Sequence, residues 1–167
     1  LESKDYLFDV EPKIDGVAVA LRFRDGKLEM GLTRGDGKFG DVITDNVATL
    51  KGVGALHENW LSIVNRCNHF EIRGEAFLSI SRFNELNLER TAKGKAPFAN
   101  PRNATAGTLK TLDSTVVKSR GLSVFFYRLF NCDGTELFET HSEEIDAIDK
   151  LNLPINPFFK NANSTDE

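Results

Sequence analysis

At 167 residues, with 40% hydrophobic and 28% charged side chains, the chain has the make-up of one globular domain or part of a larger one, long enough to bury a core. No apolar run approaches a membrane span and the charged N-terminal stretch has no signal-peptide pattern. Cys67 and Cys132 stand far apart without a Cys-x-x-Cys pair, which argues against a disulfide framework and suits free thiols in a reducing cytoplasm.

The net charge of −4 conceals a segregation. Residues 90–128 hold eight basic side chains against one acid, Asp113, whereas residues 129–167 hold two basic and nine acidic ones. So basic a stretch suits phosphate or nucleic acid. Thirteen Phe against one Trp and two Tyr point to a dry core with few aromatic hydroxyls to satisfy. The first residue is Leu1 and the single methionine is Met30, so the sequence is expected to come from a longer protein.

In chain order, residues 6–14 read as a strand. From Val17 the alternation is clear, with Val17, Val19, Leu21 and Phe23 on one face and Ala18, Ala20, Arg22 and Arg24 on the other. Asp25-Gly26 is a two-residue hairpin signal, and residues 27–34 return antiparallel. A glycine-rich loop occupies 35–40, and Thr44 is expected to cap a short helix through Leu50. Residues 55–66 read as a helix and 70–78 as a strand. Ser79 or Ser81 caps the next helix, which ends at Lys93-Gly94. Asn100 and Pro101 stand as N-cap and first residue of another helix, to about Lys110. Residues 122–130 form the most apolar strand, followed by a turn at 131–134. Residues 140–151 read as an acidic amphipathic helix stopped by Pro154 and Pro157, with a polar, frayed tail from Asn161. The expected class is α+β with antiparallel hairpins.

Several patterns carry no chemistry in this context. Gly35-Asp36-Gly37-Lys38-Phe39-Gly40 fits G-x-G-x-x-G, but a dinucleotide fingerprint needs a parallel βαβ unit, and here the preceding strand is the return arm of a hairpin. Arg34-Gly35-Asp36 spells an adhesion tripeptide by accident. The glycosylation sequons at Asn103 and Asn163 have no meaning in a cytoplasmic chain. His57, His69 and His141 lack zinc spacing, and no metal ligands are assigned.

The chemistry begins at Glu11-Pro12-Lys13-Ile14-Asp15-Gly16. K-x-D-G alone is weak, but a lysine between acids is a coherent nucleophile. It attacks phosphorus as the free amine, which burial and nearby cations favour. Its companions strengthen the case. Arg34 sits at a strand end before glycines. Glu75 follows Gly74 and is able to accept hydrogen bonds from a ribose. Arg102 lies in the first turn of a helix whose N-terminus favours phosphate.

In order and spacing, these segments resemble the adenylation domain of bacterial NAD+-dependent DNA ligases. The resemblance covers residues 6 to about 157 and is most specific at 11–16, 32–47, 71–77, 98–110 and 122–127. It implies an antiparallel-sheet nucleotidyltransferase (ATP-grasp-like) domain, incomplete at both ends. The NMN-binding subdomain that precedes the lysine motif in the family is expected to be missing. So are the later nucleotide motifs and the OB-fold, zinc and helix-hairpin-helix modules.

The resemblance implies that Lys13 attacks the α-phosphate of NAD+, that NMN leaves, and that AMP passes to the 5′-phosphate of a nick in double-stranded DNA for sealing. Asp15 would be required for catalysis. Glu11 would read adenine, Arg34 and Glu75 would hold the ribose and nucleotide, and Tyr127 would stack on the base. Arg102, Lys110 and Arg120 would serve phosphate and DNA, Arg120 in the neighbourhood of Tyr127. Mg2+ is expected from the family without assigned protein ligands, and a monomer is expected.

Three departures stand out. Lys110 replaces the family's usual arginine and loses its bidentate fork, so a looser grip on DNA phosphates is expected there. Val42 stands where an acid is usual. The segment between Leu50 and Glu71 is short. The 167 residues alone are expected to adenylate weakly and not to ligate. Two other readings stay open: an ATP-dependent ligase or RNA-capping-type enzyme, which shares K-x-D-G, and a degenerate ligase-like module that binds nucleotide or DNA without catalysis.

Overall fold

The computed structural model describes residues 8–35 and 39–162. Tyr6, the centre of the glycine-rich loop at 36–38 and the sequon at Asn163 lie outside these residues. The strands are β1 (Phe8–Val10), β2 (Val17–Arg24), β3 (Lys27–Thr33), β4 (His69–Phe77), β5 (Ser123–Asn131) and β6 (Lys160–Ala162). Four of them form a sheet in the order β3-β2-β4-β5, and each neighbouring pair is antiparallel. β1 and β6 make a separate antiparallel pair. Mixed helix and antiparallel sheet make this an α+β fold, and the βαβ context of a dinucleotide fingerprint is absent from the four-stranded sheet.

The alternation seen in the sequence sorts the sheet into two faces. Val19, Leu21 and Phe23 of β2, Phe70, Ile72 and Ala76 of β4, and Val124, Phe126 and Leu129 of β5 are all buried in one core cluster. Phe23 stacks on Phe70 with centroids 5.4 Å apart, and Trp60 tilts against Phe70 at 6.1 Å. The β2–β3 hairpin turns at Asp25 and Gly26, both with positive φ (50° and 74°). That left-handed pair follows the right-handed twist of the strands, and glycine adopts it without strain.

The helices are α1 (Thr44–Val47), α2 (Trp60–Ile63), α3 (Ile80–Ala92), α4 (Pro101–Leu109), α5 (Ser114–Arg120) and α6 (His141–Lys150). Ser79 caps α3 by accepting from Arg82 N–H, and Asn100 caps α4 by accepting from Asn103 N–H with Pro101 first. α6 begins with a capping box formed by Thr140 and Glu143. It covers the outer edge of β5: buried Glu144 accepts from Leu129 N–H and from Arg128 Nε at 3.0 Å. Further along that edge, Phe126 N–H donates to Pro154 O at 2.8 Å. An open sheet edge is thereby closed.

Five expectations need correction. Among the described residues, the strand expected over 6–14 is Phe8–Val10, and residues 11–14 are irregular, where Pro12 has no N–H for a ladder. Thr44 does not cap α1. The N-cap is Ile43, with no side-chain cap bond, because the Thr44 hydroxyl accepts from Gly31 N–H at 3.0 Å. The helix expected over 55–66 is reduced to Trp60–Ile63, and Asn65 and Arg66 take positive φ just beyond it. Helix α5 was not foreseen. The tail expected to fray from Asn161 is paired through Ala162.

Candidate functional site

Residues 11–15 follow β1 as irregular chain, and Glu11, Lys13 and Asp15 are exposed. The segment enters β2 through buried Gly16, whose N–H donates to Glu75 Oε1 at 3.2 Å. A Cβ on Gly16 would overlap the Ala76 carbonyl oxygen, so the fourth residue of Lys-Ile-Asp-Gly is small because two strands close on it.

A cavity of about 190 Å³ opens beside this segment and is lined by Glu11, Pro12, Lys13, Ile14, Glu75, Phe125, Phe126, Tyr127 and Asn156. Four of the expected site residues, Glu11, Lys13, Glu75 and Tyr127, therefore meet in one place although the sequence spreads them over more than a hundred positions. Burial raises the Glu75 carboxyl above the ordinary glutamate range, and the Gly16 N–H, Arg102 and Lys13 oppose that rise. Burial and the adjacent Glu75 raise the Tyr127 phenol.

Tyr127 owes its position to an irregularity. The β4–β5 register shifts between Arg73 and Gly74, pairing Arg73 with Arg128 and Gly74 with Phe126. Tyr127 is the extra residue, as in a β-bulge, and such bulges re-aim side chains beside functional sites. It also lines a second, wider cleft of about 740 Å³, with Ala18, Ala20 and Leu32 among its lining and Arg22, Arg34, Arg73 and Arg128 around them. Arg34 thus belongs to this neighbouring cleft. Glu71, 4% exposed, is held there by Arg22 Nε and Arg73 Nε, each at 2.8 Å.

The remaining expected residues approach from the helical side. Arg102, in the first turn of α4, reaches Asp15 at 3.1 Å, an ion pair exposed at both ends. Such a pair contributes about 0–1 kcal/mol to stability, so its consequence is placement, tying the start of α4 to the lysine segment. Lys110 pairs with Asp41 at 2.9 Å. Arg120 is not brought to the cavity lining. Its Nη1 donates to Thr108 Oγ1 at 2.8 Å, and its guanidinium lies 5.5 Å from the Phe98 ring centre. Burial and the like charge of Arg90 lower its proton affinity. Phe98 is held by Arg90 at 4.1 Å from its centroid and by the Asn87 amide, which bonds both the Phe98 N–H (2.7 Å) and its carbonyl (3.2 Å).

Sequence reasoning missed Asn156, which lies in the cavity and donates to the Pro12 carbonyl at 3.2 Å. It also missed Asn46, whose amide bonds Leu109 O and Thr111 O and so holds the end of α4. The one signal for Asn156 was its place between Pro154 and Pro157, and a lone asparagine carries no periodicity. Among the described residues no group of three or more His, Cys, Asp and Glu side chains is placed to hold a metal ion, and no helix is long and apolar enough to cross a membrane.

The chain matches the family model described as NAD-dependent DNA ligase adenylation domain over residues 1–167. It is 48% identical over 153 residues to a DNA ligase of Petrotoga mobilis, covering 91% of this chain and 22% of that protein. It is 41% identical over 150 residues to one of Geotalea uraniireducens, covering 90% and 22%. A Bacillus subtilis DNA ligase is 40% identical over 163 residues, covering 98% and 23%. The chain therefore spans under a quarter of the length of these relatives.

Proposed function

Because the chain belongs to the NAD-dependent DNA ligase adenylation domain family, we propose that it is the nucleotidyltransferase (ATP-grasp-like) unit of a bacterial DNA ligase with Lys13 as its nucleophile. The observation that carries this reading is the meeting of Glu11, Lys13, Glu75 and Tyr127 around one cavity. Deprotonated Lys13 Nζ forms the bond to the α-phosphorus of NAD+. The pyrophosphate P–O bond breaks, and NMN leaves with the electron pair. Tyr127 offers a face for adenine, Glu11 a polar partner for its edge, and Glu75 an acceptor for ribose hydroxyls. Arg102 pairs with Asp15 beside the lysine, and so weak an exposed pair leaves Arg102 able to turn to phosphate. Arg34, on the adjoining cleft, extends the cationic surface.

In the whole protein, AMP on Lys13 is then displaced by the 5′-phosphate of nicked double-stranded DNA, and the 3′-hydroxyl completes the seal. Lys110 and Arg120 lie on the basic 90–128 stretch that this partner would meet. The NMN-binding subdomain and the OB-fold, zinc and helix-hairpin-helix modules belong to the remainder of the protein, which acts as a cytoplasmic monomer. Mg2+ accompanies the phosphates and is assigned no side chain here. With Lys13, Asp15 and Arg102 exposed, the 167 residues by themselves leave the reacting phosphate open to water, and weak adenylation without ligation is expected of them.

The test offers adenylate-labelled NAD+ and labelled ATP separately to the full-length protein and to its Lys13→Ala variant. Labelling from NAD+ alone, lost in Lys13→Ala, is the expected result. Labelling that survives the substitution removes Lys13 as nucleophile, and labelling from ATP removes the NAD+ assignment.

A further inference from the structure

The segment that carries Lys13 has few restraints. Residues 11–15 belong to no helix or strand, and Pro12 has no N–H to donate. Among the described residues, the main chain of this segment is held by the hydrogen bond from Asn156 Nδ2 to the Pro12 carbonyl. Asn156 is 5% exposed and lines the same cavity as Lys13. Its Oδ1 accepts from Phe158 N–H at 3.1 Å, so both ends of the amide are used. The loop bearing it is anchored on either side, by Pro154 O on Phe126 N–H and by the pairing of Lys160 with Val10.

We propose that Asn156 is a positioning residue for Lys13. Its amide N–H fixes the carbonyl one peptide before the nucleophile, and through it the origin of the lysine stem. The inference rests on the assignment of Lys13 as the adenylated residue. A rigidly based nucleophile reaches the in-line geometry more often than one on a free loop, and misplacement by about 1 Å costs up to about 100-fold in rate. The two ends of the amide separate this role from a structural one. Asn156→Asp keeps an acceptor for Phe158 N–H but sets a carboxylate oxygen against the Pro12 carbonyl. Asn156→Ala removes both bonds.

The experiment measures single-turnover formation of the lysine–AMP adduct in the full-length protein as a function of NAD+ concentration, for the parent, both Asn156 variants and Lys13→Ala. Expected is a fall of about 10- to 100-fold in the saturating rate for Asn156→Asp and Asn156→Ala alike, with the NAD+ concentration at half-saturation within about twofold of the parent. A parental rate in Asn156→Asp beside a slow Asn156→Ala would show that the turn at Phe158 alone matters and would overturn the proposal. So would unchanged rates in both, or a loss confined to NAD+ affinity. If Asn156→Asp does not fold, Phe158→Pro takes its place, because it removes only the N–H given to Asn156 Oδ1: a parental rate beside a slow Asn156→Ala supports the brace, and a rate as slow as that of Asn156→Ala overturns it. Labelling retained by Lys13→Ala would instead refute the underlying assignment, independently of the Asn156 results.

Discussion

Glu75 accepts a hydrogen bond from Gly16 N–H while burial raises its carboxyl above the ordinary value of 4.5. In the interval between the unfolded and the raised folded value, the native chain holds more protons than the unfolded one. The stability tied to this group is therefore full below about pH 4.5 and is lost as pH rises through the folded value. At neutral pH an ionised Glu75 costs the fold something, which is reasonable where a carboxylate serves a ligand. Glu75→Gln retains an acceptor for Gly16 and removes the charge. The variant is expected to be as stable as the parent or more so near pH 7, with that advantage gone near pH 4, and to bind NAD+ more weakly. Urea unfolding at the two pH values, with a nucleotide titration, measures all three. A variant less stable near neutrality, by the same margin in acid, would contradict the burial argument.

At the scale of elements, α6 matters because it shields the edge of β5, and its start depends on the reciprocal bonds of Thr140 and Glu143. Thr140→Ala is expected to lower stability by about 0.5–2 kcal/mol and leave the saturating adenylation rate unchanged, since α6 contributes no residue to the cavity lining. Denaturant midpoints and single-turnover rates check the two halves, and a slowed rate at full stability would mean that α6 acts on the site itself. Elements set by near neighbours were legible in the sequence: the Asp25-Gly26 hairpin, the alternation of β2, and α4 behind Asn100-Pro101. Those that exist through distant partners were not. β6 is Lys-Asn-Ala, a strand only because Phe8–Val10 lies beside it. α5 is rich in β-branched and hydroxyl residues, which favour helix poorly, although Asp113 caps it and Gly121 ends it with φ 66°. The bulge at Tyr127 and the amide of Asn156 likewise arise from strand register and loop docking, which composition does not encode.

Across the whole molecule, the sheet divides labour between its faces. Phe23 and Phe70 sink into the core, while Glu75, Tyr127, Arg22, Arg73 and Arg128 line the clefts. The segment bearing Lys13 precedes that sheet and is braced by chain that follows it, because β1 pairs with β6 and Pro12 with Asn156, 144 residues apart. That separation is also an interval of time on the ribosome. At about 5–20 residues per second, roughly 7–30 s pass between the making of Lys13 and of its brace, so Lys13 waits unsupported while the sheet is synthesised. Nascent chains stalled before residue 156 has emerged are expected to be cleaved by added protease within residues 8–15, and chains stalled well beyond residue 162 to resist. Equal resistance in the shorter chains would mean that the segment is braced by something other than the loop that follows α6.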